Sequence, residues 1–298
     1  MPSFRFRINP EWWELPRCSA VLNAKIHERP YLVDQYRTTL SVKSVVAGAA
    51  FYRTRQGHYL IEEGSFLVLN EGQEYWLEIS PRVKTETLCP FLEPGLVEHV
   101  SHCLMASSDQ QLDEIEAGVQ ETGFYERLYP KTGEIATRLT RVHQGIRSHQ
   151  RSTPWLEDEL YGFAAALVRL GRGTHREVAS FPGSRASTRA ELYRRLHRAR
   201  DYVESCFAQP LSVAAIARVA CLSPYHFQRM FRQAFGKTPM QFLQARRLKA
   251  ARRLLATTDR PITSICFDVG FESLGSFSWL FRREFGLSPR NFRRQQST

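Results

Sequence analysis

The C-terminal third of the chain contains two weak copies of one sequence, and this duplication constrains the fold more than any other feature. The first copy runs from Ile216 to Pro239 and the second from Ile265 to Pro289. Equivalent residues lie 49 positions apart before a central turn and 50 after it, so the second turn holds one extra residue. Each copy reads as a short helix, a turn, a second helix and a closing glycine. The repeat predicts two helix-turn-helix units, at about 211–235 and 262–285.

Positive charge is concentrated in the same part of the chain. The net charge of the whole chain is +11. Residues 190–298 contain 19 Lys and Arg against 7 Asp and Glu, whereas residues 1–189 contain 22 against 23. A basic surface alone is often only solvated. Because this one coincides with a repeated helix-turn-helix, it favours a polyanionic partner, double-stranded DNA.

The second helix of the first copy separates an apolar stripe from a polar face. Ser223 is a good N-cap and Pro224 a good first helical residue, so the helix is predicted to begin there. Phenylalanines follow at every fourth position and are predicted to be core: Phe227, Phe231 and Phe235. The other face is predicted to contact DNA through Tyr225, His226, Gln228, Arg229 and Arg232. Arg and Gln can form two hydrogen bonds to one base edge, so Gln228 and Arg229, with Tyr225, are predicted base contacts, and Arg232 is a predicted phosphate contact.

The second copy repeats the stripe, but its polar face has fewer hydrogen-bonding groups. The stripe comprises Phe277, Phe281 and Phe285. The predicted DNA contacts are Gly275, Ser276, Trp279, Arg282 and Arg283. Trp279 has two interpretations, packing on a thymine methyl or sugar, or burial in the core. We therefore predict that the first unit contributes more sequence specificity than the second.

Residues 190–298 resemble the DNA-binding domain of the AraC/XylS family of bacterial transcription regulators. The strings that carry this resemblance are Ala220–Phe231, Phe235–Pro239, Val269–Phe277 and Phe281–Phe292. The resemblance implies an all-α domain of seven helices, two units gripping one face of the duplex, and activation by contact with RNA polymerase. Cys221 occupies a position in the first turn where many family members have glycine.

The first 172 residues have a different pattern, β-rich from about 17 to 104 and helical from about 106 to 171. Short aromatic or β-branched runs separated by glycines predict strands at Phe51–Arg55, His58–Ile61, Ser65–Leu69 and Glu74–Ile79. Helices are predicted at Gln111–Gln120, Ile135–Gln150 and Trp155–Leu170. The fold class is therefore α+β with two domains: an antiparallel β-barrel or jelly roll with appended helices, weakly resembling the cupin-like sensory domain of the family, and the helical domain. Residues 173–189 are the predicted linker.

The N-terminal part offers little for catalysis or metal binding. A metal-dependent cupin enzyme would need two histidines one residue apart and a following glutamate, and His58 with Glu62 supplies only one histidine. The six cysteines form no CxxC pair, so no metal or other cofactor is predicted. Met1–Pro16 does not read as a signal peptide, and no apolar run is long enough to cross a membrane, which predicts a cytoplasmic location.

Three functional hypotheses remain from the sequence. The first is a transcription regulator, expected to be an activator, whose N-terminal domain senses a small-molecule effector through residues such as Tyr52, Tyr59 and Trp76, and forms a homodimer. The second is the same regulator without an effector, in which that domain only dimerises or binds another protein. The third and most remote is an enzyme, either a cupin-type catalyst or a DNA-repair fusion. The helices within 135–170 would suit a dimer interface or a cover for the barrel.

Overall fold

The structure is a computed structural model that describes residues 20–27, 31–80, 84–106, 123–148, 153–182 and 185–296. The chain divides into two compact units, residues 1–181 and 182–298. The predicted helix at Gln111–Gln120 and the segment Met1–Pro16 lie outside the described residues.

Unit 1 combines two antiparallel sheets with helices. Its strands are β1 (Ala20–His27), β2 (Tyr31–Arg37), β3 (Ser41–Ala47), β4 (Ala49–Thr54), β5 (His58–Glu62), β6 (Ser65–Leu69), β7 (Glu74–Ile79), β8 (Thr85–Leu92) and β9 (Leu128–Pro130). One sheet has the order β1-β8-β3-β6-β9 and the other the order β2-β7-β4-β5. The predicted strands between residues 51 and 79 correspond to β4–β7. Alternate side chains of each strand face opposite sides, so the first sheet can pack on two layers at once.

Two apolar clusters occupy the two faces of the five-stranded sheet. Val42, Val68 and Leu88 pack on one face against the helices of the unit. Val45, Leu67 and Leu69 face the other way and pack against buried side chains of the four-stranded sheet, among them Tyr52, Tyr59 and Leu77. The order of layers is therefore helices, five-stranded sheet, four-stranded sheet.

The helices of unit 1 are α1 (Leu96–Ala106), α2 (Gly133–Arg147) and α3 (Thr153–Ala179). A change from strands to helices was predicted near residue 105. In the structure the two kinds of element overlap along the chain there. Helix α1 begins inside the expected β-rich segment, because Leu96, Val97 and Val100 have helical spacing and pack in the helix-facing cluster. Strand β9 falls in the expected helical segment, and three residues are too few to show a period.

The apolar stripes of α2 and α3 cover the sheet. Ile135, Leu139 and Val142 of α2 and Phe163 and Leu167 of α3 are buried against it. Two roles were considered for these helices, a dimer interface and a cover for the barrel. Their apolar stripes cover the sheet, so a dimer contact would have to use their other faces.

The predicted linker is shorter in the structure. Residues 173–179 continue α3, and the helical unit resumes helix at Ala186. Gly171 and Gly173 suggested a break, since each glycine costs about 1 kcal/mol in a helix. Thr174 and Val178 are nevertheless buried, and tertiary packing of this kind outweighs the intrinsic preference. The two units divide between residues 181 and 182, inside the predicted range.

Unit 2 is helical throughout the part that the structure describes. Its helices are α4 (Ala186–Cys206), α5 (Val213–Val219), α6 (Pro224–Phe235), α7 (Pro239–Thr257), α8 (Ile262–Asp268), α9 (Leu274–Phe285) and α10 (Pro289–Gln296). Helices α5 and α6 form one helix-turn-helix, and α8 and α9 form the other. Helix α7 has 19 residues, which corresponds to about 28 Å. It contacts both α6 and α9 and therefore joins the two units of the repeat.

Candidate nucleic-acid interface

Helix α6 is fixed at both ends by its own sequence. The Ser223 hydroxyl accepts a hydrogen bond from the backbone N–H of His226 at 3.4 Å, and Pro224 starts the helix. Gly236 ends it in the left-handed region at φ 70°, and its N–H donates to the Arg232 carbonyl at 2.9 Å. The predicted start and end of this helix agree with the structure.

Helix α9 repeats this arrangement. The Ser273 hydroxyl accepts from the Ser276 N–H at 3.4 Å, and Gly286 closes the helix at φ 78°. In each helix the first two phenylalanines of the stripe are fully buried and the third is half-buried. Ring centroids along the stripe are 5.3 and 4.6 Å apart in α6 and 5.7 and 4.6 Å apart in α9. The stripes seat both helices in the core, so each presents its opposite face to solvent.

The exposed face of α6 contains the residues predicted for it. Tyr225 is 79% exposed, and His226 at the same end is half-buried. Gln228, Arg229 and Arg232 are exposed and line a shallow groove of about 540 Å³, which Gln233 and Thr238 complete. These last two residues were not predicted from the sequence, although Gln233 lies five positions after Gln228 and beside Arg232 on the same helix.

The exposed face of α9 differs in character. Trp279 is 61% exposed, so its interpretation as a core residue is wrong. The guanidinium of Arg283 lies 4.6 Å from the centre of its ring, a cation–π contact that holds both side chains on the surface. Gly275, Ser276 and Arg282 are also exposed. This face offers arginines and an aromatic surface, but no amide side chain.

A second groove, of about 450 Å³, joins the start of α9 to the first half of α7. It is lined by Ser276 and Leu280 together with Gln241, Gln244 and Arg247. These α7 residues were not predicted from the sequence to belong to the interface. Gln241 belongs to a capping box, since its side chain accepts from the Thr238 N–H at 3.0 Å, and the Thr238-to-Gln241 spacing could have revealed this.

The two turns of the repeat use different residues to reach a left-handed backbone. Cys221 adopts φ 51°, is exposed, and its carbonyl accepts from Arg195 at 3.3 Å. In the second turn Gly270 adopts φ 91°, and a Cβ atom there would lie 2.8 Å from the carbonyl oxygen of Ala208. The second turn therefore requires glycine for space as well as for conformation, whereas the first turn only tolerates a side chain.

Helix α7 is fastened to the end of α4 by two neighbouring arginines. Arg247 donates to the carbonyls of Phe207 and Gln209 at 2.8 and 2.9 Å. Burial lowers the pKa of Arg247, and the neighbouring Glu272 partly opposes this. Arg246 pairs with Glu204 and lies 4.2 Å from the ring of Phe207. These contacts fix the rod that joins the two helix-turn-helix units.

In unit 1, the three residues predicted to bind an effector do not lie together. Tyr52 and Tyr59 are 2% and 1% exposed and lie between the two sheets. Trp76 follows Tyr75 on β7, and Tyr75 faces that interior. Trp76 consequently lies on the opposite face of β7, where the Arg53 guanidinium is 4.7 Å from its ring. It does not line the interior with the two tyrosines.

Neither a metal centre nor a membrane span was found in the described part of the chain. There, no group of three or more His, Cys, Asp or Glu side chains is arranged to hold a metal ion. None of the described helices combines the length and the apolar character needed to cross a bilayer.

Comparison with known proteins places the repeat in a family. A family model described as a helix-turn-helix domain matches residues 216–295. The regulatory protein SoxS of Salmonella typhimurium is 37% identical over 93 residues, which are 31% of this chain and 87% of SoxS. The transcriptional activator RhaS of Escherichia fergusonii is 42% identical over 99 residues, 33% of this chain and 36% of RhaS. A solved AraC-type regulator from Chromobacterium violaceum is 31% identical, covers 38% of this chain and 98% of that one, and has a TM-score of 0.33.

The two helix-turn-helix units with exposed basic faces define a DNA-binding transcription regulator. The relatives are regulators, in agreement with the prediction that the chain is not an enzyme. The chain belongs to the AraC/XylS family. The predicted resemblance of residues 190–298 is thereby confirmed. The match to RhaS spans only about a third of each chain, and the family model matches residues 216–295, which lie in the helical unit.

Proposed function

We propose that this chain is a sequence-specific transcription activator that reads DNA mainly through α6 and anchors itself through α9. The observation that carries this proposal is the exposed row of Gln228, Arg229 and Arg232 along one groove, opposite the fully buried rings of Phe227 and Phe231. Gln228 and Arg229, with Tyr225, contact bases, because these side chains match hydrogen-bonding patterns in the major groove. His226 and Arg232 contact the adjacent backbone.

In the second unit, Arg282, Arg283 and Ser276 bind phosphates and Gly275 allows close approach of the backbone. Trp279 packs its exposed ring on a thymine methyl or a sugar. A face of this composition forms few directional bonds to base edges, so it contributes affinity more than specificity. The α6 and α9 helices would enter major-groove segments about one helical turn apart, ~34 Å.

Unit 1 serves, in this proposal, as a sensory and dimerisation domain with a cupin-like jelly roll. The strand orders β1-β8-β3-β6 and β2-β7-β4-β5 support it, since each sheet alternates early and late strands as in a double-sheet jelly roll. Its interior is lined by aromatic and aliphatic side chains, including Tyr52 and Tyr59, which suits a small-molecule effector. The protein would act as a homodimer in the cytoplasm, contacting RNA polymerase at the promoter.

Selection of bound sequences from random duplex DNA, at a stated salt concentration, tests this function. We expect one strongly enriched block of bases per protomer and a weaker block about one helical turn away. Uniform binding to all sequences would contradict sequence-specific reading. Two blocks of equal information would contradict the unequal roles of α6 and α9. An enriched sequence with twofold symmetry would support the homodimer.

A further inference from the structure

A lysine lies in the apolar interior between the two sheets of unit 1. Strand β3 alternates its faces, and Val42 belongs to the helix-facing cluster, so Lys43 faces the four-stranded sheet. Its side chain is 1% exposed. The ammonium nitrogen has no hydrogen-bond partner among the described residues. It lies 3.8 Å from the ring centre of Phe91 and 4.4 Å from that of Tyr75.

The described surroundings of Lys43 contain no carboxylate to neutralise it. Glu86 on the neighbouring β8 bonds to His143 at 2.7 Å, and Glu74 on β7 pairs with Arg55 at 2.7 Å. Among the described residues, the polar groups of this interior include the Tyr52 hydroxyl and the Cys89 thiol, 3.8 Å from each other, and the hydroxyls of Tyr59 and Tyr75. Burial raises the pKa of the Tyr52 hydroxyl well above its usual value, so it remains neutral.

An unpaired cation in an apolar interior is costly, because burial removes its hydration and two aromatic faces restore only part of it. Burial accordingly lowers the pKa of Lys43 to about 7, an effect that the neighbouring Cys89 partly opposes. Apolar walls with one convergent charged group and few other polar atoms are typical of sites for small ligands.

We propose that the Lys43 ammonium binds the carboxylate of a small monocarboxylic acid with an apolar body, held between the two sheets of unit 1. This inference rests on the proposed sensory role of unit 1 and names the chemical class of its effector. A monocarboxylate fits because one lysine balances one negative charge, whereas a phosphate or dicarboxylate would leave charge unpaired. The Tyr52 hydroxyl supplies a further donor, and Leu67 and Leu77 supply apolar walls.

The edge strand β2 offers an entry to this interior. Three side chains of this strand are only partly buried where they pack against the inter-sheet cluster: Tyr31, Val33 and Tyr36. The pairing of β2 with β7 shifts register between Val33 and Tyr36. The Tyr36 ring lies 5.6 Å from that of Tyr75, which contacts Lys43 in turn. Displacing this irregular edge would open a path to the ammonium without breaking the central strands.

The test uses the full chain and a panel of acids, hexanoate, octanoate and phenylacetate, each paired with its uncharged amide. Thermal shift and calorimetry are compared for the wild type, Lys43→Met, and the matched control Lys84→Met, whose lysine is exposed on the same unit. We expect at least one acid to stabilise the wild type and the control. Its amide should bind at least about tenfold more weakly, and Lys43→Met should lose affinity by a similar factor, corresponding to one lost charge contact.

Three results would overturn the proposal. The first is that no acid of the panel binds. The second is that an acid binds Lys43→Met as well as it binds the wild type. The third is that Lys43→Met lowers the Tm of the ligand-free protein by several degrees. The last result would mean that a carboxylate of the chain itself already holds the ammonium, since an unpaired lysine should be replaced by methionine with no loss of stability.

Proton uptake on binding gives a readout that does not need the variant. A carboxylate favours the charged amine, so binding at pH 8 should take up close to one proton and binding at pH 6 only about a tenth. Acid binding without this uptake would also refute the role of Lys43. Failure of the acids, while wild type and variant still bind the selected DNA sequence, removes this inference alone. Failure to enrich any DNA sequence removes the proposed function instead.

Discussion

Arg246 of α7 and Glu204 of α4 form an ion pair at 2.6 Å in which the arginine side chain is 5% exposed and the glutamate 32%. Burial raises the pKa of Glu204, although Arg246 and Arg200 oppose this shift. The cost of desolvating the Glu204 carboxylate therefore exceeds its attraction to the arginines. The ion pair consequently fixes the position of α7 against α4 more than it stabilises the fold. Helix α7 contacts both α6 and α9, the two helices whose basic faces are exposed. The position of α7 therefore determines the positions of α6 and α9.

Replacing one partner of this ion pair should reduce the free energy of unfolding more than replacing both. Glu204→Leu alone leaves a buried guanidinium without its carboxylate, and Arg246→Met alone leaves the glutamate. We expect each to reduce the free energy of unfolding by ~1–3 kcal/mol, since the glutamate is partly exposed. The double variant should recover most of that loss. Urea unfolding of the four proteins measures these differences, and simple additivity of the two single losses would contradict the ion pair as described.

Alanine substitution of an arginine on α6 and of an arginine on α9 should affect DNA binding in different ways. Arg229→Ala removes a predicted base contact in α6 and should cost ~1–3 kcal/mol on the selected sequence while leaving nonspecific binding nearly unchanged. Arg282→Ala removes a predicted phosphate contact in α9. It should weaken all sequences alike and reduce the slope of log affinity against log salt by about one. Fluorescence anisotropy on specific and scrambled duplexes at several salt concentrations measures both.

Arg290 is exposed on α10, outside both faces, and Arg290→Ala serves as the matched control for lost charge. It should change affinity little. Equal, sequence-independent losses for Arg229→Ala and Arg282→Ala would show that α6 does not read bases, and would leave DNA binding without the proposed division of roles.

The turns of the repeat should respond in opposite directions to a change of one residue. Cys221 is exposed with φ 51°, so Cys221→Gly relieves backbone strain without removing packed atoms, and should add ~0.5–1 kcal/mol to the free energy of unfolding. Gly270→Ala adds strain at φ 91° and brings a Cβ to 2.8 Å from the Ala208 carbonyl. It should remove at least ~2 kcal/mol. Thermal unfolding of both variants is the measurement, and a destabilised Cys221→Gly would mean that the thiol packs usefully.

The helical unit was more predictable from sequence than the sheets, for a physical reason. In α6 and α9 the cap, the phenylalanine period and the closing glycine all act within about 12 residues, so local sequence defines each helix and its buried face. Duplication supplies the same information twice. Trp279 was ambiguous because its exposure depends on Arg283 beside it and on the packing of other helices, and no local pattern reports that.

In unit 1, strand β3 was not predicted individually from the sequence, and it is buried on both sides. Strand β3 has five consecutive buried residues, Ser41 to Val45, so it lacks the alternation that marks β4 and β7. Lys43 sits in the middle of this run and reads locally as a solvent-facing residue. Its burial follows from the pairing of β3 with β6 and β8, strands more than 20 residues later in the chain. The candidate effector site was therefore not predictable from local sequence.

The buried lysine also predicts an unusual dependence of stability on pH. The ordinary pKa of lysine is 10.5, and burial lowers that of Lys43 to about 7. Between pH 7 and 9 the unfolded chain keeps the proton that the folded chain loses, so the folded state gains stability as pH rises.

Relative to Lys43→Met, the free energy of unfolding of the wild type should therefore rise by about 2 kcal/mol over this pH range, in the absence of ligand. The tyrosines and the thiol that face Lys43 are present in both proteins, so the comparison isolates the lysine. Denaturant unfolding at pH 7, 8 and 9 measures the difference. A constant difference would mean that Lys43 stays charged in the folded protein and is paired. A saturating monocarboxylate should abolish the rise, because it restores the charge of the ammonium and with it the ordinary pKa.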